Sequence, residues 1–155
     1  MLSLRWDNTV GAARIQKDAA TGALAVDQSL ETVVLLSLFT DVGASEQEVK
    51  QAGLDTDLGW WADADTLREP GRRPWGSKFW LLSRGKTTLE TLRRLEGYVV
   101  SALQWLVDDG IVASVSVQAT RLRPGVVGLD LTLTRPNKLL PAFKRLWEVR
   151  TDAFL

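Results

Sequence analysis

A chain of 155 residues, 45% hydrophobic and 25% charged, is long enough to bury a core and is expected to form one domain over residues 1–155. It has no cysteine and no histidine, which removes disulfides, thiolate metal sites, cysteine nucleophiles, and the commonest general base and metal ligand. The formal net charge is zero but unevenly spread: residues 1–66 carry 11 acids and 4 bases, residues 67–155 carry 8 acids and 15 bases.

Leu2, Leu4 and Trp6 alternate with polar residues, and Arg14 to Lys17 and Ala23 to Val26 flank the turn-prone run Asp18 to Gly22, which predicts a short N-terminal hairpin. Ser29 then offers an N-cap to LETVVLLSLFT, where Leu30, Val33, Val34, Ser37 and Leu38 form a helical stripe. The β-branched content of that stretch also permits a buried strand. Ser45 and Glu48 have the spacing of a capping box for a short helix that Gly53 stops.

The stretch from Gly59 to Gly110 dominates the chain. It holds Trp60, Trp61, Trp75, Trp80 and Trp105, five of the 7 tryptophans. Residues 55–76 lack periodicity and read as a long ordered loop, a feature uncommon unless it binds something. Trp80 and Trp105 lie in apolar-periodic surroundings and are expected in the core, whereas the adjacent Trp60 and Trp61 do not both face inward from an extended segment. One of that pair is therefore a candidate interface anchor.

Thr87 and Glu90 are spaced as a capping box for a long helix from Thr88 to Asp109, with Leu89, Leu92, Leu95, Val99, Leu103 and Leu106 on its apolar face and Gly110 closing it. Gly97 inside that helix costs about 1 kcal/mol relative to alanine. It marks either a close crossing of another element or a tolerated surface position. Two alternating runs follow, at 111–119 and 127–134, separated by Pro124-Gly125, and read as an antiparallel pair. The tail places Phe143, Leu146 and Trp147 at helical spacing, with an aromatic edge strand as the alternative. The expected fold is α+β, an antiparallel or mixed sheet packed against the helix at about 88–109 and a helix near 30–40.

Little in the chain suggests chemistry. Asp55-x-Asp57 and Asp63-x-Asp65 lack the full calcium-loop pattern, so no metal site is expected and the acids read as a solvated loop. Phosphate-binding glycine loops and dinucleotide fingerprints are absent, and no catalytic residue or cofactor is assigned. The charge split is either neutralised within the fold or met by electrostatically complementary contacts with neighbouring subunits, while the zero balance argues against a nucleic-acid partner. The N-terminal MLSLRWDNTV shows neither a signal-peptide pattern nor a membrane-spanning run, so no membrane partner is expected and the chain is expected to be made in the cytoplasm.

The segments LRWD, LAVDQSLETVVLLSLFTD, GWWADA, GSKFWLL, KTTLETL, ALQWLVDDGIVASVSV and GLDLTLTRP together resemble the Mu-like phage baseplate protein family across residues 2 to about 136. That family is the Mu counterpart of the T-even baseplate wedge protein that starts the contractile sheath. The resemblance implies a non-enzymatic structural protein without cofactor, assembled in the bacterial host cytoplasm and located in the virion at the tail baseplate. Its implied partners are other baseplate wedge proteins and the tail sheath, with several copies in a symmetric assembly. Relatives that initiate a sheath carry a Glu-Pro-Arg-like motif; here Glu69-Pro70-Gly71-Arg72 contains an inserted glycine.

Candidate protein-interface residues are Trp60, Trp61, Arg72 and Arg73 in the loop and Asp130 and Thr132 on the strand at 127–134. That strand reads either as lying at or near an open sheet edge, where a sheath strand would pair with it, or as an interior strand paired on both sides with no binding role. The competing function is a small carbohydrate- or protein-binding adaptor that uses the tryptophan-rich loop.

Overall fold

The computed structural model describes residues 2–25, 30–55, 73–82, 88–136 and 141–150, the last of these with side chains at 147–149. The alternation after Gly110 builds strands β3 (Ser114–Arg123) and β4 (Val126–Thr134), joined through Pro124-Gly125. The tail contributes β5 (Pro141–Arg150), and the three pair antiparallel in the order β3-β4-β5. Along β4, Val127, Leu129, Leu131 and Leu133 are at most 2% exposed, so one face of the sheet is core throughout.

Two open readings are decided here. The edge reading of β4 fails and the interior one holds: Leu131 pairs with Val117 on one side and Arg145 on the other. The tail takes the strand alternative and not the helix. Phe143, Leu146 and Trp147 fit a helical period, but Trp147 and Val149 share the buried face at a period of two, and Pro141 is tolerated as the first strand residue.

The outer strands are covered by side chains instead of further strands. Ala119 of β3 gives its backbone N–H to the Glu96 carboxylate at 2.8 Å. On β5, the Glu148 carbonyl accepts from the Trp6 indole N–H at 3.3 Å, and the Glu148 N–H is donated to Asn8 Oδ1 at 3.1 Å. Both contacts come from elements remote in sequence.

Helix α3 (Leu89–Asp108) lies on the core face of the sheet, burying Leu95, Val99, Ala102, Leu103 and Leu106 against the β4 leucines. Its N-cap is Thr88 rather than Thr87: the Thr88 hydroxyl accepts from the Thr91 N–H at 3.2 Å, and Glu90 pairs with Arg94 one turn on. Adjacent threonines make the register ambiguous from sequence, and the cap falls where the helix starts.

Gly97 sits on the exposed side of α3, and a Cβ built on it has nothing within 4 Å. Among the described residues no element crosses there, which fits the surface-position reading. Gly97→Ala is therefore expected to stabilise the isolated protein by about 0.5–1 kcal/mol, raising its melting temperature by roughly 1–4 °C. A melting temperature below wild type in a thermal scan would count against an open site.

Helix α1 (Glu31–Phe39) is buried nearly all round, as Val34, Leu35, Ser37 and Leu38 are all at most 1% exposed. Its N-cap is Leu30, with no side-chain cap, in place of Ser29, which lies outside the described residues. The helix start is held instead by tertiary structure: Thr32 Oγ1 accepts the Leu4 N–H at 2.8 Å. Leu4 belongs to β1 (Leu4–Asp7), which pairs with β2 (Ala12–Ile15) around a turn at Asn8 to Gly11. The predicted turn at Asp18 to Gly22 forms as well, closed by a Lys17–Leu24 bridge, so the N-terminal hairpin has a second reversal.

Helix α2 (Glu46–Gln51) has the predicted Ser45–Glu48 capping box, with both reciprocal bonds present. A row of aromatic rings then joins the parts. Trp147 lies 6.2 Å from Trp6, Trp6 stacks on Phe39 at 4.6 Å, and Phe39 meets Phe79 edge-on at 5.9 Å. Strand β5, the hairpin, α1 and the segment around Phe79 are thereby tied together through one core.

Candidate interaction surface

The segment from Arg73 to Leu82 explains why GSKFWLL has the residues it has. Gly76 adopts φ +121°, and a Cβ there would run into the Thr40 carbonyl at the end of α1. Ser77 follows with its N–H donated to Thr40 O at 2.8 Å and its carbonyl accepting from Val42 N–H at 3.0 Å. Its hydroxyl, also buried, donates to Leu38 O at 2.5 Å. Three bonds from one residue thus satisfy the Leu38 and Thr40 carbonyls at the α1 C-terminus and the Val42 N–H just beyond it.

Trp80 is 1% exposed and gives its indole N–H to Val42 O at 2.9 Å, packing with Val49 and Leu81 in a small cluster beneath α2. Phe79 to Leu82 form a single 3-10 turn with all four side chains buried. Lys78 points the other way and pairs with Glu48 at 2.6 Å. The motif is a structural tie between α1, α2 and the core, and its tryptophan is closed to any sugar ring.

Glu48 accepts from Lys78, from the Ser45 N–H at 2.9 Å and from the Ser45 hydroxyl at 2.9 Å. The Lys78 hydrogen bond first, then the Ser45 N–H, hold its carboxyl down at about 2, from an ordinary value of 4.5. A depressed carboxylate contributes stability that is fully present above its unfolded pKa and is lost as pH falls toward the folded one. Wild type should therefore lose melting temperature between about pH 4.5 and pH 2. Asp7 and Asp18 shift the same way, so the test is the difference from Glu48→Gln, whose curve should be flatter over this interval. Parallel curves for the two proteins would show that the Glu48–Lys78 pair carries none of the acid sensitivity.

Between this segment and the outer face of α3 runs an open groove of about 510 Å³. Tyr98, Ser101, Ala102 and Trp105 of α3 form one side, and Pro74 and Gly76 to Lys78 the other. Trp105 is half-buried rather than core: its indole N–H reaches Ser37 Oγ at 3.3 Å, and Trp75 packs against its ring at 5.1 Å. Burial raises the pKa of the Tyr98 hydroxyl, and the Glu48 charge adds to the effect.

Arg73 closes one end, bridging Asp108 at 3.2 Å and Asp109 at 2.5 Å. A cation there offsets two carboxylates that the helix macrodipole disfavours at a C-terminus. Of the residues singled out in the sequence, Arg73 is the one placed at this groove. Trp60, Trp61 and Arg72 lie outside the described residues.

Asp130 and Thr132 are half-buried on the sheet face away from α3, because their odd-numbered neighbours on β4 fill the core. The structure does not bring them together with Arg73. Asp130 Oδ1 is buried and has no hydrogen-bond partner among the described residues. Sequence reading missed Tyr98, Ser101 and Gln104 as a surface; the signal was the polar side of α3, where Gly97, Ser101, Gln104 and Asp108 recur at spacings of three and four.

Comparison with known proteins gives consistent matches. A family model described as phage protein GP46 matches residues 30–139. The baseplate protein gp46 of Escherichia phage Mu is 40% identical over 136 residues, which cover 88% of each chain. The Mu-like prophage FluMu protein gp46 of Haemophilus influenzae is 35% identical over 138 residues, covering 88% of this chain and 87% of its own.

Proposed function

This chain belongs to the phage protein GP46 family, and from that membership we propose that it is a structural, non-enzymatic subunit of the tail baseplate of a Mu-like phage or prophage. The observation that carries the reading is the 40% identity to a named baseplate protein over 88% of both chains. In the virion it binds neighbouring wedge proteins, in several copies of a symmetric assembly, and takes part in starting the sheath.

The charge distribution supports assembly through complementary contacts. Among the described residues, Lys78–Glu48 is the ion pair that joins the acidic residues 1–66 to the basic remainder, and the other described pairs lie within one part or the other. A chain with its acids and bases on different stretches suits electrostatically complementary contacts with neighbours. Deleting the gene from an inducible lysogen and supplying it in trans tests the reading. Tails purified from the complemented strain should contain this chain together with baseplate proteins, and the deletion should yield no sheathed tails. Infectious, sheathed particles made without it would overturn the proposal.

A further inference from the structure

We propose that strand β2 is completed by an extended segment of a neighbouring baseplate subunit, which joins its outer edge as a third strand and carries an acidic side chain opposite Arg14. The inference rests on the baseplate reading and names the surface and the kind of partner it takes.

The direction of the backbone groups comes first. Leu4 turns its N–H to Thr32 and away from β2, so Leu4 and Ile15 are a non-hydrogen-bonded pair. The alternation of an antiparallel ladder then makes Arg5 and Arg14 a bonded pair, and Trp6 and Ala13 another non-bonded one. Just beyond the strand, the bonds from Asp18 N–H to Ala23 and from Ala25 N–H to Gln16 flank the Lys17–Leu24 bridge in the same way. Ala13, Ile15 and Lys17 therefore aim their N–H and carbonyl groups outward, along an edge of about 14 Å. None of these groups has a hydrogen-bond partner among the described residues. The outer edges of β1, β3 and β5 differ, because Leu4, Ala119 and Glu148 each give an N–H to a side chain from elsewhere in the chain. An uncapped row of this kind is completed by an extended backbone.

The two faces of the hairpin fit such an addition. All four β2 residues are exposed, whereas β1 rests on α1 with Trp6 in the core. Ile15 and Leu24 lie on the face that Leu4 and Trp6 turn inward, yet they are 55% and 60% exposed. A third strand with apolar residues on that side would extend the core past Leu4 and cover both.

Charge decides between a second copy and another protein. On the opposite face Arg5 and Arg14 stand directly across from each other, an unfavourable like-charge pair. Among the described residues the carboxylate paired with them is Asp7, 2.9 Å from Arg14. Two copies pairing β2 antiparallel, Ala13 to Ile15, would set their Arg14 side chains opposite each other in a non-bonded pair, where side chains are closest, with an Arg5 on either flank. An aspartate or glutamate in that place would instead balance the row. The arginine that disfavours a second copy thus selects an acidic partner.

The experiment uses tails assembled in the complemented deletion strain. With the photo-cross-linking residue p-benzoylphenylalanine at position 15, the chain should attach to another baseplate subunit beside an aspartate or glutamate, read by mass spectrometry. Arg14→Glu loses a solvent-screened pair with Asp7 and gains Arg5 opposite, so it should melt within a few degrees of wild type. It should nonetheless reduce assembled baseplates about tenfold or more by repelling the partner, with Arg14→Lys assembling normally. Ile15→Pro removes an outward N–H and leaves the β1–β2 ladder whole, so it should also fold and fail to assemble. If the proline variant does not fold, Arg14→Glu decides by itself. Attachment of the probe to its own chain or to a second copy, no attachment, or normal assembly of Arg14→Glu would each overturn the proposal. Tails that lack this chain altogether would overturn the baseplate reading as well, so the two failures are told apart.

Discussion

Gly76→Ala is expected to lower the melting temperature by about 10 °C or leave the protein insoluble, a cost of roughly 3–5 kcal/mol. Two effects combine. At φ +121° an L side chain is strained by about 1–3 kcal/mol wherever it sits. The new methyl group would also collide with the Thr40 carbonyl, which is backbone and has no rotamer to escape into. Relieving that contact means moving Gly76 away from the end of α1, and with it Ser77, whose three hydrogen bonds hold Leu38, Thr40 and Val42. Gly97→Ala in the same protein has the opposite expected sign. Thermal scans of the two variants side by side separate a glycine required by its surroundings from one that the helix merely tolerates. A Gly76→Ala protein that melts within 2–3 °C of wild type would remove the close approach from the account.

The contrast also shows which features can be read from a sequence. The α3 apolar stripe from Leu92 onward, the Ser45–Glu48 capping box and the alternation of β3 and β4 depend on residues a few positions apart and were legible, whereas Leu89, read on the same stripe, is exposed in the first turn. Strand order depends on β5, whose register with β4 pairs Leu131 with Arg145 and Leu129 with Trp147. No local pattern encodes that pairing, so β4 looked like the last strand when it is the middle one. The tail itself was ambiguous because 143, 146 and 147 satisfy a helical period while 147 and 149 satisfy a strand period. Gly97 and Gly76 cannot be told apart by sequence, since the difference is whether Thr40 stands against them.

The groove was legible only in part. The polar side of α3 is a local pattern, and Arg73 lay in a visible basic run. That these meet at Asp108 and Asp109, with Trp75 against Trp105, depends on how GSKFWLL returns to the end of α1. The motif that resembles a family signature does its work inside the fold, and the surface it creates lies beside it. A rigid tie of this kind fixes one wall of the groove against the end of α1.

Thr132→Pro is expected to abolish cooperative folding, with no soluble protein or a melting temperature lower by about 10 °C or more. Thr132 lies in mid-strand on β4, opposite Ser116 on β3 and Lys144 on β5. A proline there removes a ladder N–H and forces its ring against a neighbouring strand, at a cost of about 3 kcal/mol or more. Ala119 on β3 and Glu148 on β5 turn their backbone groups away from β4, so the even positions of β4, Thr132 among them, exchange their ladder bonds with β3. The expected loss therefore reads the β3–β4 ladder in the isolated protein, with no assembly assay needed. Circular dichroism should show a lost or strongly shifted transition. A soluble Thr132→Pro protein melting with wild type would remove the Thr132 ladder bond to β3 from the account. If β4 is central, any strand joining this sheet must pair on the far side of β3 or β5. There it would have to displace Glu96 from Ala119, or Trp6 and Asn8 from Glu148, so the added strand would compete with contacts that the fold already makes.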